Sequence, residues 1–301
     1  MDKRISNLAQ VASVNRMTCR DGKQKGLDLV YIHNGVLDII LNESKALDIA
    51  QLKFKGENVS FISKNGLVAQ SVPFLNAFNG GMLYTCGLDS VGGRDGYPLH
   101  GTFHNIPANI TQIVCNEEQI SVTAEIIDTA LFGQNLIMKR TFTTNIASNK
   151  FTLNDELTNC GYNKENYCLL YHINLGYPFL DESCIIKADI KNTIPRTDWA
   201  AKHISSCLQM QSPVDGIDEM CYFHELNSPK IEVINQQTKR KLKLNYYGDI
   251  LKYVVEWKSL ASGDYVLGIE PTTTMLDSYF KYNVLLPNQT VKMGFSIEMI
   301  G

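Results

Sequence analysis

The strongest constraint in this chain is a polar–apolar alternation of period two that recurs along most of its length. In QISVTAEI, Ile120, Val122, Ala124 and Ile126 alternate with polar residues, and in VKMGFSIEM, Val291, Met293, Phe295, Ile297 and Met299 do the same. KFTLNDELTN, PKIEVIN, KLKLNYYG, KYVVEWK and DYVLGIE repeat the pattern. Successive strand side chains point to opposite faces, so such runs read as strands with one buried face. A helix would need a period of 3.6, and no long segment offers one. Turn signals separate the runs: Asp21-Gly22, Asn34-Gly35, Asn65-Gly66, Asp95-Gly96, Asp215-Gly216 and Ser262-Gly263-Asp264. Short strands punctuated in this way predict an all-β fold, a large antiparallel β-sandwich. A helical turn or two is expected only in ESKALDIAQL and TDWAAKHISSCL. Without a Pro/Ser/Gly-rich linker, a low-complexity tract or a fixed-period repeat, residues 1–301 read as one domain.

Charge narrows the partners. The net charge is −3 and the basic residues are scattered, so no global field favours nucleic acid or an anionic membrane. The densest basic cluster, Lys239, Arg240, Lys241 and Lys243, reads as a solvated strand or turn. The opening residues MDKRISNLAQ lack the apolar stretch of a signal peptide, and no run of eighteen apolar residues occurs. A cytoplasmic location is expected. The eight cysteines are spread singly with no CxxC pair, and in that compartment they are expected as thiols.

A few titratable residues lie in unusual settings. His100 follows the glycine-rich stretch CGLDSVGGRDGYPLHG, which can bring backbone close to a ligand. His172 lies in LLYHINLGYP, an apolar strand where a polar side chain needs a partner. Glu270 ends the apolar strand DYVLGIE, on the face of Val266 and Gly268. Alone, either histidine reads first as a structural residue, and Glu270 equally as a working carboxylate or as the wet end of its strand. Together, a carboxylate and an imidazole on apolar walls suit proton exchange near neutral pH. His100 and His104 are four apart, which on a strand separates them by about 13 Å, too far to share a metal.

Several segments together resemble the aldose 1-epimerase, or galactose mutarotase-like, superfamily, nearest to a bacterial branch grouped with deoxyribose mutarotase-like proteins. They are NGGMLYTCGLDSVGG with PLHGTFHNIPA, FTLNDELTNCG leading into LLYHINLGYPFLDE, and SGDYVLGIEPTT, in order across residues 79–274. The resemblance implies a supersandwich that binds a monosaccharide and interconverts its α and β anomers by opening and reclosing the ring. It assigns His100 to polarising the sugar near its ring oxygen, His172 to the general acid and Glu270 to the general base. It also implies aromatic and polar residues around the hydroxyls, for which Asp89, Trp257 and His224 are the candidates. The family's substrate-binding Arg, some two dozen residues before the first His, has no counterpart, because no Arg lies between Arg20 and Arg94. Lys45 and Arg94 are the candidates to replace it.

On this reading Glu270 starts ionised and His172 charged. Neither a metal nor an organic cofactor is called for, and a homodimer is compatible with it. A non-catalytic carbohydrate-binding protein on the same fold and a metal-dependent sugar isomerase are the alternatives.

Overall fold

In the computed structural model, which describes residues 3–301, the alternating segments are strands of two antiparallel sheets. The smaller takes the first five in order: β1 (Ser13–Thr18), β2 (Asp28–His33), β3 (Leu37–Asn42), β4 (Asp48–Phe54) and β5 (Glu57–Asn58). The larger has thirteen strands. They are β6 (Tyr84–Leu88), β7 (Ala108–Cys115), β8 (Gln119–Thr129), β9 (Asn135–Asn145), β10 (Lys150–Asn159) and β11 (Glu165–Leu175). There follow β12 (Cys184–Pro195), β13 (Met220–Asn235), β14 (Lys241–Tyr247), β15 (Tyr253–Ala261), β16 (Asp264–Thr272), β17 (Asn283–Leu285) and β18 (Thr290–Ile300). Their order is β17-β11-β16-β15-β13-β14-β18-β10-β9-β8-β7, with β6 paired to β11 and β12 to β13.

Alternation becomes burial directly. Ile120, Val122, Ala124 and Ile126 of β8 and Met293, Phe295, Ile297 and Met299 of β18 point into one apolar core. That core continues into Val30, Ile32, Ile39 and Leu41 of the small sheet, so the two sheets close on each other as a sandwich. At the Asn34-Gly35 turn the side chain of Asn34 accepts from the amides of Val36 and Leu37. Its amide group donates to Thr144 Oγ1 at 2.8 Å, joining the β2–β3 hairpin to the large sheet.

TDWAAKHISSCL supplies short helical turns at Asp198–Lys202 and Ile204–Ser206, and the Thr197 side chain caps the first by accepting from the Ala200 amide. ESKALDIAQL does not. Ala46 and Leu47 take φ values of 51° and 54°, and β4 begins at Asp48. Tertiary bonds override the local helical pattern there: the Ala46 amide donates to the Ile106 carbonyl and its own carbonyl accepts from Arg140. The basic cluster lies at the start of β14, where Lys241 pairs with Glu232 at 2.9 Å and Arg240 pairs with Glu57. All eight cysteines are free thiols, and five of them are buried. Among the described residues no helix is long and apolar enough to cross a membrane.

Between the sheets lies a polar hub that sequence reasoning did not find. Arg140 of β9 has no solvent exposure. Its Nε and Nη2 donate to the two oxygens of Asp155 at 2.9 and 2.7 Å, and its Nη1 donates to Asp48 at 2.6 Å. Asp48 also accepts from the Thr85 amide and hydroxyl and lies 2.6 Å from His104 Nδ1, while Asp155 accepts from the Tyr171 hydroxyl. The hub thus binds β4 of one sheet to β6, β9, β10 and β11 of the other.

Arg140→Met, close in volume and without charge, leaves two buried carboxylates uncompensated. Removing one partner from such a cluster costs about 3–5 kcal/mol. Urea unfolding should show a loss in that range, and a loss below about 1 kcal/mol would show that the hub does not hold the sheets.

Candidate active site

The large sheet carries a second apolar cluster on the face away from the core. Cys168 and Leu170 of β11, Val255 of β15, Val266 of β16 and Cys221 and Phe223 of β13 belong to it. Their neighbours of opposite parity, such as Leu169, Tyr171, Ile269 and Tyr222, belong to the core between the sheets. His172 and Glu270 have the parity of the second cluster. In the β11–β16 register Ile173 faces Ile269 and Leu170 faces Thr272, which sets His172 level with Glu270. Val255 faces Glu270, and Trp257 faces Gly268.

The result is a cleft of about 190 Å³ lined by His100, His172, Glu270, Trp257, Arg196 and Glu219, with apolar walls from Phe74, Phe78, Leu99 and Leu276. His172 Nδ1 and Glu270 Oε1 lie 3.2 Å apart, yet their alignment falls short of a hydrogen bond, and among the described residues neither atom has one elsewhere. The His100 ring meets His172 edge-on, at 70° with centroids 5.5 Å apart, and the Trp257 ring does so at 76° and 5.3 Å.

Local structure explains each placement. His100 sits at φ 65°, its amide bound to the Gly92 carbonyl and its carbonyl accepting from the Gly87 amide. The Gly92 amide points at its Nδ1 from 3.4 Å, which favours the tautomer protonated on Nε2. Asp89 holds this loop closed by accepting from the amides of Ser90 and Thr102 and from the Thr102 hydroxyl. Gly268 makes room on the sheet: a Cβ there would come within 2.5 Å of Glu270 Oε1 and 3.3 Å of the Trp257 ring.

The expected site residues therefore divide. His100, His172, Glu270 and Trp257 come together in the cleft. Asp89 does not line it and serves as the brace just described. His224 has the opposite parity; its Nδ1 meets Thr193 at 2.9 Å and its Nε2 meets Glu256 at 3.0 Å, a buried structural pairing. Arg94 lies 3.9 Å over the Phe280 ring and donates to the Tyr282 hydroxyl, outside the cleft lining. Lys45 is buried and donates to Asn105 at 2.8 Å. His104 belongs to the Arg140 hub and stacks on Tyr84.

The arginine in the cleft is instead Arg196, just past the end of β12, held by two bonds to Asp277 at 2.7 and 2.9 Å. Glu219, also unexpected, accepts from Trp257 Nε1 at 2.7 Å and fixes the indole. Both flank turns whose destination only the tertiary structure decides, and the sole sequence signal for Arg196 is the Thr197 cap behind it.

Electrostatics turn the pair away from its expected charges. Burial pushes the Glu270 carboxyl well above the usual carboxylate range; Glu219 adds to the shift and Arg196 opposes it. Burial pushes His172 well below the ordinary imidazole value, and His100 adds to that. Burial, with Arg196, takes His100 down to about 4. Both shifts favour the neutral forms, a carboxylic acid beside a neutral imidazole, over the ion pair. The neutral pair holds one proton between two groups, as the ionised pair would, but on the other partner.

The family model for DUF4432, a domain of unknown function, matches residues 24–280. No curated protein matches the chain. Among solved structures, a Klebsiella pneumoniae protein provisionally named an aldose 1-epimerase superposes with a TM-score of 0.88 at 22% identity, covering 97% of this chain and 86% of its own. A galactose mutarotase-like protein from Clostridium acetobutylicum gives 0.71 at 13% identity, covering 97% and 99%. A Salmonella typhimurium protein provisionally named a mutarotase gives 0.70 at 14%, covering 98% and 95%. The fold is thus the galactose mutarotase-like sandwich.

The raised Glu270 value has a thermodynamic consequence. A carboxyl whose pKa is higher folded than unfolded makes stability fall as pH rises from its ordinary value of 4.5 to the folded one. The slope approaches about 1.4 kcal/mol per pH unit for one proton. Glu270→Gln removes that fall, so the variant should melt at a higher temperature than wild type at pH 7, and the gap should shrink toward pH 4. Equal melting temperatures at both pH values would place an ionised Glu270 in the resting protein.

Proposed function

The chain belongs to the DUF4432 family, and we propose that it acts as an aldose 1-epimerase, interconverting the α and β anomers of a reducing sugar by acid–base ring opening and reclosure. One observation carries this reading. Two titratable atoms, His172 Nδ1 and Glu270 Oε1, are buried 3.2 Å apart at the floor of a cleft and neither makes a hydrogen bond. An unsatisfied buried polar group costs about 1–3 kcal/mol, and an acid–base couple left without hydrogen bonds in a cleft is a functional arrangement before it is a structural one.

Ring opening removes a proton from the anomeric hydroxyl, breaks the bond between C1 and the ring oxygen, and adds a proton to that oxygen. Rotation about C1–C2 turns the aldehyde, and closure runs the transfers backwards. The net proton count is zero, which suits a pair that holds one. Glu270 takes the anomeric proton and His172 delivers one to the ring oxygen, following the family resemblance. The resting proton on Glu270 reaches His172 across the 3.2 Å contact before or as the sugar docks. His100, neutral and protonated on Nε2, is a hydrogen-bond donor for the sugar. Trp257 offers an apolar face to the C–H side of the ring, and Arg196 a charge for its hydroxyls. The volume of about 190 Å³ lies below the roughly 300 Å³ at which drug-sized sites begin and suits one sugar ring.

Wild type should speed α/β exchange of a responsive reducing sugar, measured by two-dimensional exchange NMR or polarimetry. Glu270→Gln and His172→Gln should each lower kcat by about 10²–10⁴, and the double variant should lose little more, since one transfer needs both groups. The pH profile of kcat/KM should be bell-shaped. Its acid limb belongs to His172 gaining a second proton, below the ordinary imidazole value, and its basic limb to Glu270 losing its own, above the ordinary carboxylate value. Exchange by Glu270→Gln at the wild-type rate would remove Glu270 from the mechanism.

A further inference from the structure

The cleft has a neighbour across Trp257. Trp257, Phe78, Leu75 and Glu219 also line a second hollow, of about 450 Å³, on the same face of the large sheet. Its floor is the continuation of the catalytic strands: Ser259 faces Val266 across β15 and β16, two residues beyond the Trp257–Gly268 pair and four beyond Val255–Glu270. At about 3.3 Å per residue, Val266 lies roughly 13 Å along the strand from Glu270. That is room for one more ring beyond the ring that reacts.

We propose that the substrate is a neutral reducing disaccharide, or a longer oligosaccharide, whose reducing-end ring reacts over Glu270 and His172 while its neighbour rests in the hollow beyond Trp257. The inference rests on the aldose 1-epimerase reading and adds the substrate class. The chemistry restricts the linkage. C1 of the reacting ring must carry a free hydroxyl to open, so the second unit is joined through another position of that ring.

The lining suits a second sugar. Phe61, Phe78 and Trp257 supply flat apolar surface against which the C–H face of a ring packs. The buried hydroxyl of Ser259 and the carboxylate of Asp218 supply hydrogen-bonding groups. The charge excludes an anionic appendage. Asp218, Glu219 and Asp264 line the hollow against one cation, Lys64, whose Nζ is already paired to Asp264 at 2.7 Å. A phosphate or carboxylate there would meet net negative charge. Asn65 donates to the Leu75 and Phe78 carbonyls at 3.0 Å, and so fixes the segment that carries the shared wall.

Exchange NMR on lactose, cellobiose and maltose, beside galactose, glucose and glucose 6-phosphate, tests this. At least one disaccharide should give a kcat/KM tenfold or more above that of its own reducing-end monosaccharide, and glucose 6-phosphate should show no such gain. Ser259→Leu fills the hollow from its floor and Ala261→Phe from its less buried end; each should bring the disaccharide-to-monosaccharide ratio to about one. Monosaccharides that exchange as fast as disaccharides, or a ratio unmoved by a folded filling variant, would overturn the inference and leave the epimerase reading standing. Tryptophan fluorescence titration with the same sugars separates the two claims. Tenfold tighter disaccharide binding, lost on filling, with no exchange of any sugar would sink the epimerase reading and keep the ligand class. Equal binding of both classes would sink the ligand class.

Discussion

The sandwich depends on one buried charge cluster. Arg140 carries one positive charge between Asp48 of the small sheet and Asp155 of the large one, out of reach of bulk solvent. In a low-dielectric interior such a cluster survives only when its hydrogen bonds are met. Here Thr85, Tyr171, His104 and the Ala46 carbonyl supply them. Two consequences reach the cleft. The Asp48–Thr85 bonds anchor β6, from whose end the loop carrying His100 departs. His104 stacks on Tyr84 with centroids 3.7 Å apart, and Tyr84 packs in turn on Phe74 and Phe78 of the cleft wall.

The same sheet thus has two characters on its two faces. Toward the core, residues of one parity pack as aliphatic and aromatic side chains around a satisfied polar hub. Away from it, residues of the other parity form an apolar floor on which Glu270 and His172 are desolvated without being paired. Burial costs most where a group would be charged, so the floor favours the neutral form of the couple. A water-filled cleft at the same distance would leave an ion pair. Gly268 completes the arrangement, since any side chain there would occupy the space of the carboxylate.

How much of this was legible in the sequence varied with range. Strand segments such as QISVTAEI and DYVLGIE were readable because period two is a local signal, and the helical turns of TDWAAKHISSCL were readable because theirs is local too. ESKALDIAQL misled, because bonds from Ile106 and Arg140, far away in sequence, set the backbone at Ala46. Arg140 itself was within reach: in NLIMKRTFTTN it shares a parity with Leu136, Met138 and Phe142, which marks a buried arginine. His172 and Glu270 stood out as polar residues in apolar strands. Asp89 and His224, candidates only through the family resemblance, proved to be a loop brace and a core pairing, because register, not composition, decides which face a residue takes. Arg196 and Glu219 gave almost no local sign.

The proposed mechanism requires a sugar to dock with its anomeric hydroxyl at Glu270 and its ring oxygen at His172. A crystal structure of the Glu270→Gln variant, which binds without turning over, soaked with a responsive reducing sugar, tests it most directly. The anomeric oxygen should lie within about 3.2 Å of the residue 270 amide, and the ring oxygen at a similar distance from the His172 ring. A sugar bound with its anomeric carbon turned away from both side chains, or bound elsewhere on the sandwich, would contradict it.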